Sequence, residues 1–141
     1  MKIVLDTNVL ISAVFFGGVP GRILDAVISD RFELILSPAI QSEYHRVGGE
    51  LAKGHPARAE ALAPVLTMLA RHATVVHAPP LSAPVCADAS DDKFLAAAKA
   101  ANASLVISGD RHLLDVSGWQ GVTVLSPRTF LDRHVRGTGS D

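Results

Sequence analysis

Short apolar runs alternate with helical segments along this chain, and that alternation restricts the possible fold more than any other feature. The runs that we interpret as strands are residues 2–5, 32–36, 73–76, 104–107 and 122–125. Strands that alternate with helices pair in parallel and carry the helices on the faces of the sheet. The sequence therefore predicts an α/β fold, a three-layer α/β/α sandwich around a mostly parallel five-stranded sheet.

Glycine and proline divide the helical segments from one another. Residues 17–21 contain three glycines and a proline, so we expect the first helix to end before them, and the glycine pair at 48–49 is expected to end the third. The length of 141 residues fits one domain. We predict a single domain over residues 1–135 and a flexible tail over 136–141.

Composition limits the classes of function. The net charge of −1 gives no overall attraction to nucleic acid, so such binding needs a local patch or a bound metal. Cys86 is the only cysteine, which excludes an intramolecular disulfide and a cysteine-based zinc site. No apolar run reaches about 18 residues and the first run lacks a signal-peptide pattern. We expect no membrane segment and a cytoplasmic location.

Two aspartates follow predicted strands. Asp6 comes directly after the first strand, and Asp110 comes shortly after the fourth. The carboxyl ends of parallel strands share one edge of the sheet, where ligands bind. Two like charges at ~4 Å repel by roughly 4 kcal/mol at an effective dielectric of 20. A hard divalent cation with oxygen ligands offsets that repulsion, so the sequence predicts a metal site at this edge.

Further carboxylates lie on predicted helices. Glu43 is flanked by Ile40 and Val47 at helical spacing, which favours a place on the packed side of its helix. Asp91 and Asp92 stand at the start of a later helix. Helical spacing favours Asp92 as the site residue, with Asp91 as the alternative.

Each acid also has an ordinary structural interpretation. Asp6 could only cap the following helix, and Glu43 could be a solvated surface residue. Asp88 and the two aspartates that follow it could form a plain acidic loop, and Asp110 could be a turn residue. Asn8 and Ser108 lie at the same predicted edge and are candidates to support the site through hydrogen bonds. Among the histidines, His45 and His112 lie near proposed acids.

Five segments together resemble a known protein family. They are residues 4–13 (VLDTNVLISA), 37–44 (SPAIQSEY), 91–98 (DDKFLAAA), 107–114 (ISGDRHLL) and 126–131 (SPRTFL). In this order they resemble the motifs of PIN-domain proteins, and most closely those of the toxin components of bacterial toxin–antitoxin systems. The resemblance extends from residue 2 to about residue 132.

The resemblance implies an activity and a set of site residues. It implies a ribonuclease that cuts single-stranded RNA with one or two Mg²⁺ or Mn²⁺ ions, held by Asp6, Glu43, Asp92 and Asp110 as catalytic residues. It also implies products with 5′-phosphate and 3′-hydroxyl ends, a homodimer, and inhibition by a cognate antitoxin protein.

Three cations near the proposed acids are candidates to guide the RNA backbone, namely Lys93, Lys99 and Arg111. Each has the alternative of being a solvated surface charge.

Competing functions remain open. A haloacid-dehalogenase-type phosphatase also has a strand-end aspartate, but its pattern needs a second aspartate where this chain has Asn8. A receiver-type signalling domain needs a lysine after a late strand, and residues 122–127 contain none. A PIN-like module that binds RNA or protein without cutting is the non-enzymatic alternative.

Overall fold

Five parallel strands form one sheet in the computed structural model, which describes residues 1–136. The strands are β1 (Lys2–Leu5), β2 (Glu33–Leu36), β3 (Thr74–Val75), β4 (Leu105–Ile107) and β5 (Thr123–Leu125). Their order across the sheet is β3-β2-β1-β4-β5, and every pairing is parallel. The predicted fold class is confirmed.

Within residues 1–136, six helices connect successive strands, and a seventh follows β5. They are α1 (Thr7–Phe16), α2 (Gly18–Ile28), α3 (Pro38–Ala52), α4 (Pro56–His72), α5 (Asp92–Ala101), α6 (Arg111–Leu114) and α7 (Pro127–Phe130). A 3₁₀ turn, Ala89–Asp91, precedes α5, another, Trp119–Gly121, precedes β5, and a π-helical segment, Leu131–Arg136, follows α7. Of the predicted tail, Arg136 belongs to this last segment and residues 137–141 lie outside the described part of the chain. The predicted domain boundary stays a prediction.

Both faces of the sheet are covered. All three residues of β4 are buried, and so are Ile3, Val4 and Leu5 of β1, although neighbouring side chains on a strand point to opposite faces. Helix α5 packs across β1, β2 and β4 with its buried Phe94 and Leu95. The core is therefore continuous from the sheet into the helical layers.

The predicted helix end at residues 48–49 is wrong, because α3 continues to its last residue at position 52. Gly48 is buried there, and a Cβ atom at this position would lie 2.7 Å from Leu62 Cδ2 and 3.0 Å from Ile11 Cδ1. The missing side chain lets α3 approach α4 and α1 closely. The glycine serves packing between helices rather than helix termination.

The glycine-rich break at 17–21 is shorter than predicted. Only Gly17, with φ of 70°, separates α1 from α2, and the following glycines and proline belong to the first turns of α2. Within residues 1–136, no single helix is long and apolar enough to cross a membrane. The pair α1 and α2 passes that test only when taken together across a 99° bend, and both helices contribute buried residues to the core.

The chain order places a crevice between β1 and β4. From the central β1, the chain first builds β2 and β3 on one side and then β4 and β5 on the other. The backbone N–H of Asp6 donates to the carbonyl of Ile107 at 3.0 Å, so the ends of β1 and β4 are held side by side. Ligands of open parallel sheets bind at such a switch point.

Candidate metal centre

Asp6 lies at the carboxyl end of β1 and is only 4% exposed. Its carboxylate accepts a hydrogen bond from Ser108 Oγ at 2.6 Å. It occupies the N-cap position of α1, but its side chain makes no capping hydrogen bond, so capping does not explain the acid. Burial raises the pKa of Asp6 above its ordinary value, against the lowering effect of the Ser108 hydrogen bond, and the charges of Asp110 and Glu43 raise it further.

Ser108 joins the two strand-end aspartates. Its hydroxyl oxygen, which donates to Asp6, also accepts the backbone N–H of Asp110 at 2.9 Å. One oxygen of Asp110, Oδ1, accepts the N–H of His112 at 2.9 Å and caps α6. The turn interpretation of Asp110 is therefore correct for one oxygen. The structure thus places Asp6, Asp110 and Ser108 at one edge of the sheet, and metal binding by the two aspartates stays a prediction.

Glu43 lies on the packed side of α3, as expected, and its side chain is only 14% exposed. Thr7 Oγ1 donates to one carboxylate oxygen and the Lys93 ammonium contacts the other. The next residue, Tyr44, donates its buried hydroxyl to the carbonyl of Leu5 at 2.6 Å. That bond fixes α3 against the end of β1 and holds Glu43 beside the strand-end acids.

Asp91 lies partly buried among the other acids, the position that the sequence favoured for Asp92. Its side chain is 15% exposed, and within residues 1–136 its buried Oδ2 atom has no hydrogen-bond partner. Burial raises the pKa of Asp91 to about 6, with further contributions from the charges of Asp110, Asp6 and Asp88. An unpartnered buried carboxylate oxygen among other acids is the arrangement expected of a cation ligand.

Asp92 instead holds a loop. Its two oxygens accept the backbone N–H groups of Val85 at 3.0 Å and Cys86 at 2.8 Å. Burial acts to raise the pKa of Asp92, but the hydrogen bonds from these two N–H groups and from the Cys86 side chain lower it overall. In the structure Asp91 lies with the other acids, whereas Asp92, the residue favoured from sequence, faces the loop. Metal binding by either residue stays a prediction.

A further group around Asp91 was not predicted. Single ligand atoms of Asp88, Asp91 and His112 all lie within 4.8 Å of one another, with His112 Nδ1 at 3.6 Å from Asp91 Oδ2. The sequence indicated only that Asp88 could belong to an acidic loop and that His112 lies near Asp110. No regular spacing connects the loop before α5 with α6, so no sequence signal marks this group.

The residues present fit a hard divalent cation. The charges of Asp110 and Glu43 raise the pKa of Asp6, and the charges of Asp110 and Asp6 raise that of Asp91, so the carboxylates of these four residues lie close together. Carboxylate oxygen is the ligand type that suits Mg²⁺ and Mn²⁺. The buried Asp91 Oδ2 atom, which lacks a hydrogen-bond partner within residues 1–136, supports a cation site independently of the number of acids.

The predicted RNA-guiding cations are in different surroundings. Lys93 lies inside the acid cluster, paired with Glu43. Lys99 lies at the other end of α5, with Nζ 5.8 Å from the centre of the Trp119 ring. Arg111 is exposed at the start of α6, and Asn8 is exposed on α1. A role for these three cations in RNA binding stays a prediction, and so does the supporting role predicted for Asn8.

Comparison with known proteins agrees with this geometry. The family model of the PIN domain matches residues 2–112, which span the sheet edge and every acid described above. The chain is also 30% identical, over 119 residues, to an uncharacterized protein, MJ1680, of the archaeon Methanocaldococcus jannaschii. That similarity covers 82% of this chain and 75% of the archaeal protein. PIN domains are generally nucleases that depend on divalent metal ions, so the match favours a nuclease over a phosphatase or a receiver domain.

Proposed function

The chain belongs to the PIN-domain family, and we propose that it is a Mg²⁺- or Mn²⁺-dependent endoribonuclease acting on single-stranded RNA. One observation carries the proposal. Four acids from four separate segments, Asp6, Glu43, Asp91 and Asp110, converge beyond the ends of β1 and β4, and one buried oxygen of Asp91 has no hydrogen-bond partner among the described residues.

Asp6, Asp91 and Asp110 would hold the cation, with Glu43 completing the site. When bound, a divalent cation supplies Lewis-acid stabilisation of the charge that develops on phosphate oxygens and lowers the pKa of water. Ser108 keeps the Asp6 carboxylate oriented toward the site, since its hydroxyl donates to that carboxylate.

The reaction is hydrolysis of a phosphodiester. The oxygen of a water molecule bonds to phosphorus while the bond from phosphorus to the 3′ oxygen breaks. The water loses a proton and the departing 3′ oxygen gains one, so no further reactant is needed. The products carry 5′-phosphate and 3′-hydroxyl ends, as the family resemblance implies.

The biological setting belongs to the same proposal. The motifs most resemble toxin components, so we expect a cytoplasmic homodimer that a cognate antitoxin protein inhibits. The support for this part is the resemblance of the motifs alone. Co-expression with the product of the adjacent gene, followed by measurement of growth and of RNA cleavage, tests it directly.

The activity is tested with purified protein and a mixed pool of single-stranded RNA, with Mn²⁺, with Mg²⁺ and with EDTA. We expect cleavage only with metal, and loss of cleavage in Asp6→Asn and Asp91→Asn. Asp25→Asn is the matched control, because Asp25 is an exposed aspartate on α2 outside the acid cluster. Full cleavage in EDTA, or unchanged cleavage by Asp6→Asn, would refute the proposal of metal catalysis at this site.

A further inference from the structure

A cavity of about 350 Å³ opens beside the acid cluster. It lies between the first turn of α3, the proline-rich loop before α5, and α5 itself. Small apolar residues dominate its wall, among them Ala39, Pro84 and Ala96. The wall also carries the Lys93 ammonium, the Asp92 carboxylate and three serines. Its volume is within the range of about 300–1,000 Å³ that is typical of small-molecule pockets.

Two features connect this cavity with the metal centre. Lys93 belongs to both, because it lines the cavity and also contacts Glu43. Ala39 lies one helical turn before Glu43 on α3, so the two side chains share a face of that helix. A ligand in the cavity would therefore lie next to a cation or a phosphate group bound at the acid cluster.

Specific hydrogen bonds hold the loop that forms one wall of the cavity. Asp92 fixes the loop by accepting the N–H groups of Val85 and Cys86, directly after the prolines. The polar groups of the wall are mostly committed elsewhere: Ser90 Oγ donates to Asp88, and Ser37 Oγ accepts the N–H of Ile40. The cavity thus offers apolar contact and few hydrogen bonds.

We propose that this cavity seats one unpaired nucleobase of the RNA strand, next to the phosphate that is cut; the inference rests on the proposed function. A base has a flat apolar face that alanine and proline side chains can cover, and a phosphate on the same nucleotide would lie toward Lys93. A base in a duplex must first be unpaired and unstacked before it can enter, and that cost favours bases of a single strand. The cavity would therefore select single strands and discriminate weakly among the four bases, since it presents few free hydrogen-bonding groups.

The test uses a fluorescein-labelled single-stranded RNA dodecamer with one abasic nucleotide, placed at each position in turn. Binding is measured by anisotropy in EDTA, and cleavage by denaturing gels in Mn²⁺. We expect one position near the cut at which the abasic nucleotide lowers binding, or raises KM, by about tenfold, with little effect elsewhere; loss of one stacked base has an effect of this order.

Filled variants make the test specific to the cavity. Ala39→Leu and Ser82→Leu fill it from opposite walls, and Ala61→Leu on the exposed side of α4 is the matched control. Each filled variant should bind the intact dodecamer about tenfold more weakly and should lose its sensitivity to the abasic position. The control should keep both properties. Near-equal abasic penalties in filled and unfilled proteins would mean that the base lies elsewhere.

The outcomes separate this inference from the proposed function. Binding with a position-specific abasic penalty but no cleavage supports the base site and overturns the nuclease. Cleavage that is insensitive to abasic position and to both filled variants overturns the base site and leaves the nuclease standing. RNA that is neither bound nor cut overturns both.

Discussion

Replacement of Asp91 by asparagine should stabilise the metal-free protein, although it removes a proposed metal ligand. Burial and neighbouring charges raise the pKa of Asp91 from 3.8 to about 6. Each pKa unit corresponds to about 1.4 kcal/mol of differential interaction, so the ionised form destabilises the fold by up to about 3 kcal/mol. Relaxation around a side chain that is partly exposed reduces this figure, and we expect about 1–3 kcal/mol.

The sign of the effect follows from the direction of the shift. Because the folded protein holds the proton on Asp91 more tightly than the unfolded chain does, the penalty is absent below pH 4. It grows as pH rises from about 4 to about 6 and is complete above that range. Asparagine carries no charge, so Asp91→Asn and the wild type should have similar stability at pH 4. At pH 8 the variant should be the more stable protein.

Urea denaturation in EDTA at pH 4, 6 and 8, repeated at pH 8 with Mn²⁺, provides the assay. Mn²⁺ should stabilise the wild type, by about 2.7 kcal/mol at one hundred times its dissociation constant, and should stabilise Asp91→Asn far less. Asp92→Asn is the matched neighbour: it loses charge-assisted bonds to the loop, so it should be less stable at pH 8 yet keep the Mn²⁺ response. If Asp91→Asn is less stable than the wild type at pH 8 in EDTA, or keeps the full response to Mn²⁺, the reasoning fails.

Three other perturbations test the packing and charge of the site. Ser108→Ala removes the donor that lowers the pKa of the β1 aspartate, so Mn²⁺ affinity measured by calorimetry should fall most at pH 6; equal loss at pH 6 and pH 8 would argue against this. Lys93→Met removes a positive charge from the acid cluster and should tighten Mn²⁺ binding, whereas Lys99→Met, outside the cluster, should not change it; weaker binding in the first variant would refute the electrostatic argument. Gly48→Ala should lower the free energy of unfolding by about 1–3 kcal/mol through overpacking, while Gly49→Ala, with open space around its Cβ, should raise it by up to about 1 kcal/mol; thermal melts of both distinguish these signs.

The local sequence pattern was sufficient to predict where the strands lie and that two of the acids share one edge of the sheet. Each strand is a short apolar run, and an aspartate after such a run must lie at the carboxyl edge of a parallel sheet whatever the rest of the chain does. That is why Asp6 and Asp110 could be paired from sequence. The pairing of Glu43 with Lys93 could not, because the two residues are 50 positions apart and nothing local links them.

The local sequence pattern could not predict whether Asp91 or Asp92 faces the other acids. Asp91 ends the 3₁₀ turn and Asp92 begins α5, so their side chains point in different directions and the orientation of this segment about its axis decides which one faces the acids. That orientation depends on the packing of α5 across the sheet and on two backbone N–H groups of the preceding loop, which bind Asp92. Gly48 is a similar case, since its role is visible only from the side chains of two other helices.

The amino-acid order alone determined the alternation of strands and helices, the parallel sheet, and the edge at which its acids collect, because these follow from periodicity and chain direction. Tertiary packing decided which aspartate faces that edge, which cation neutralises the glutamate, and that a cavity opens next to them. Those features depend on contacts between segments far apart in the chain, and such contacts exist only once the layers have packed together.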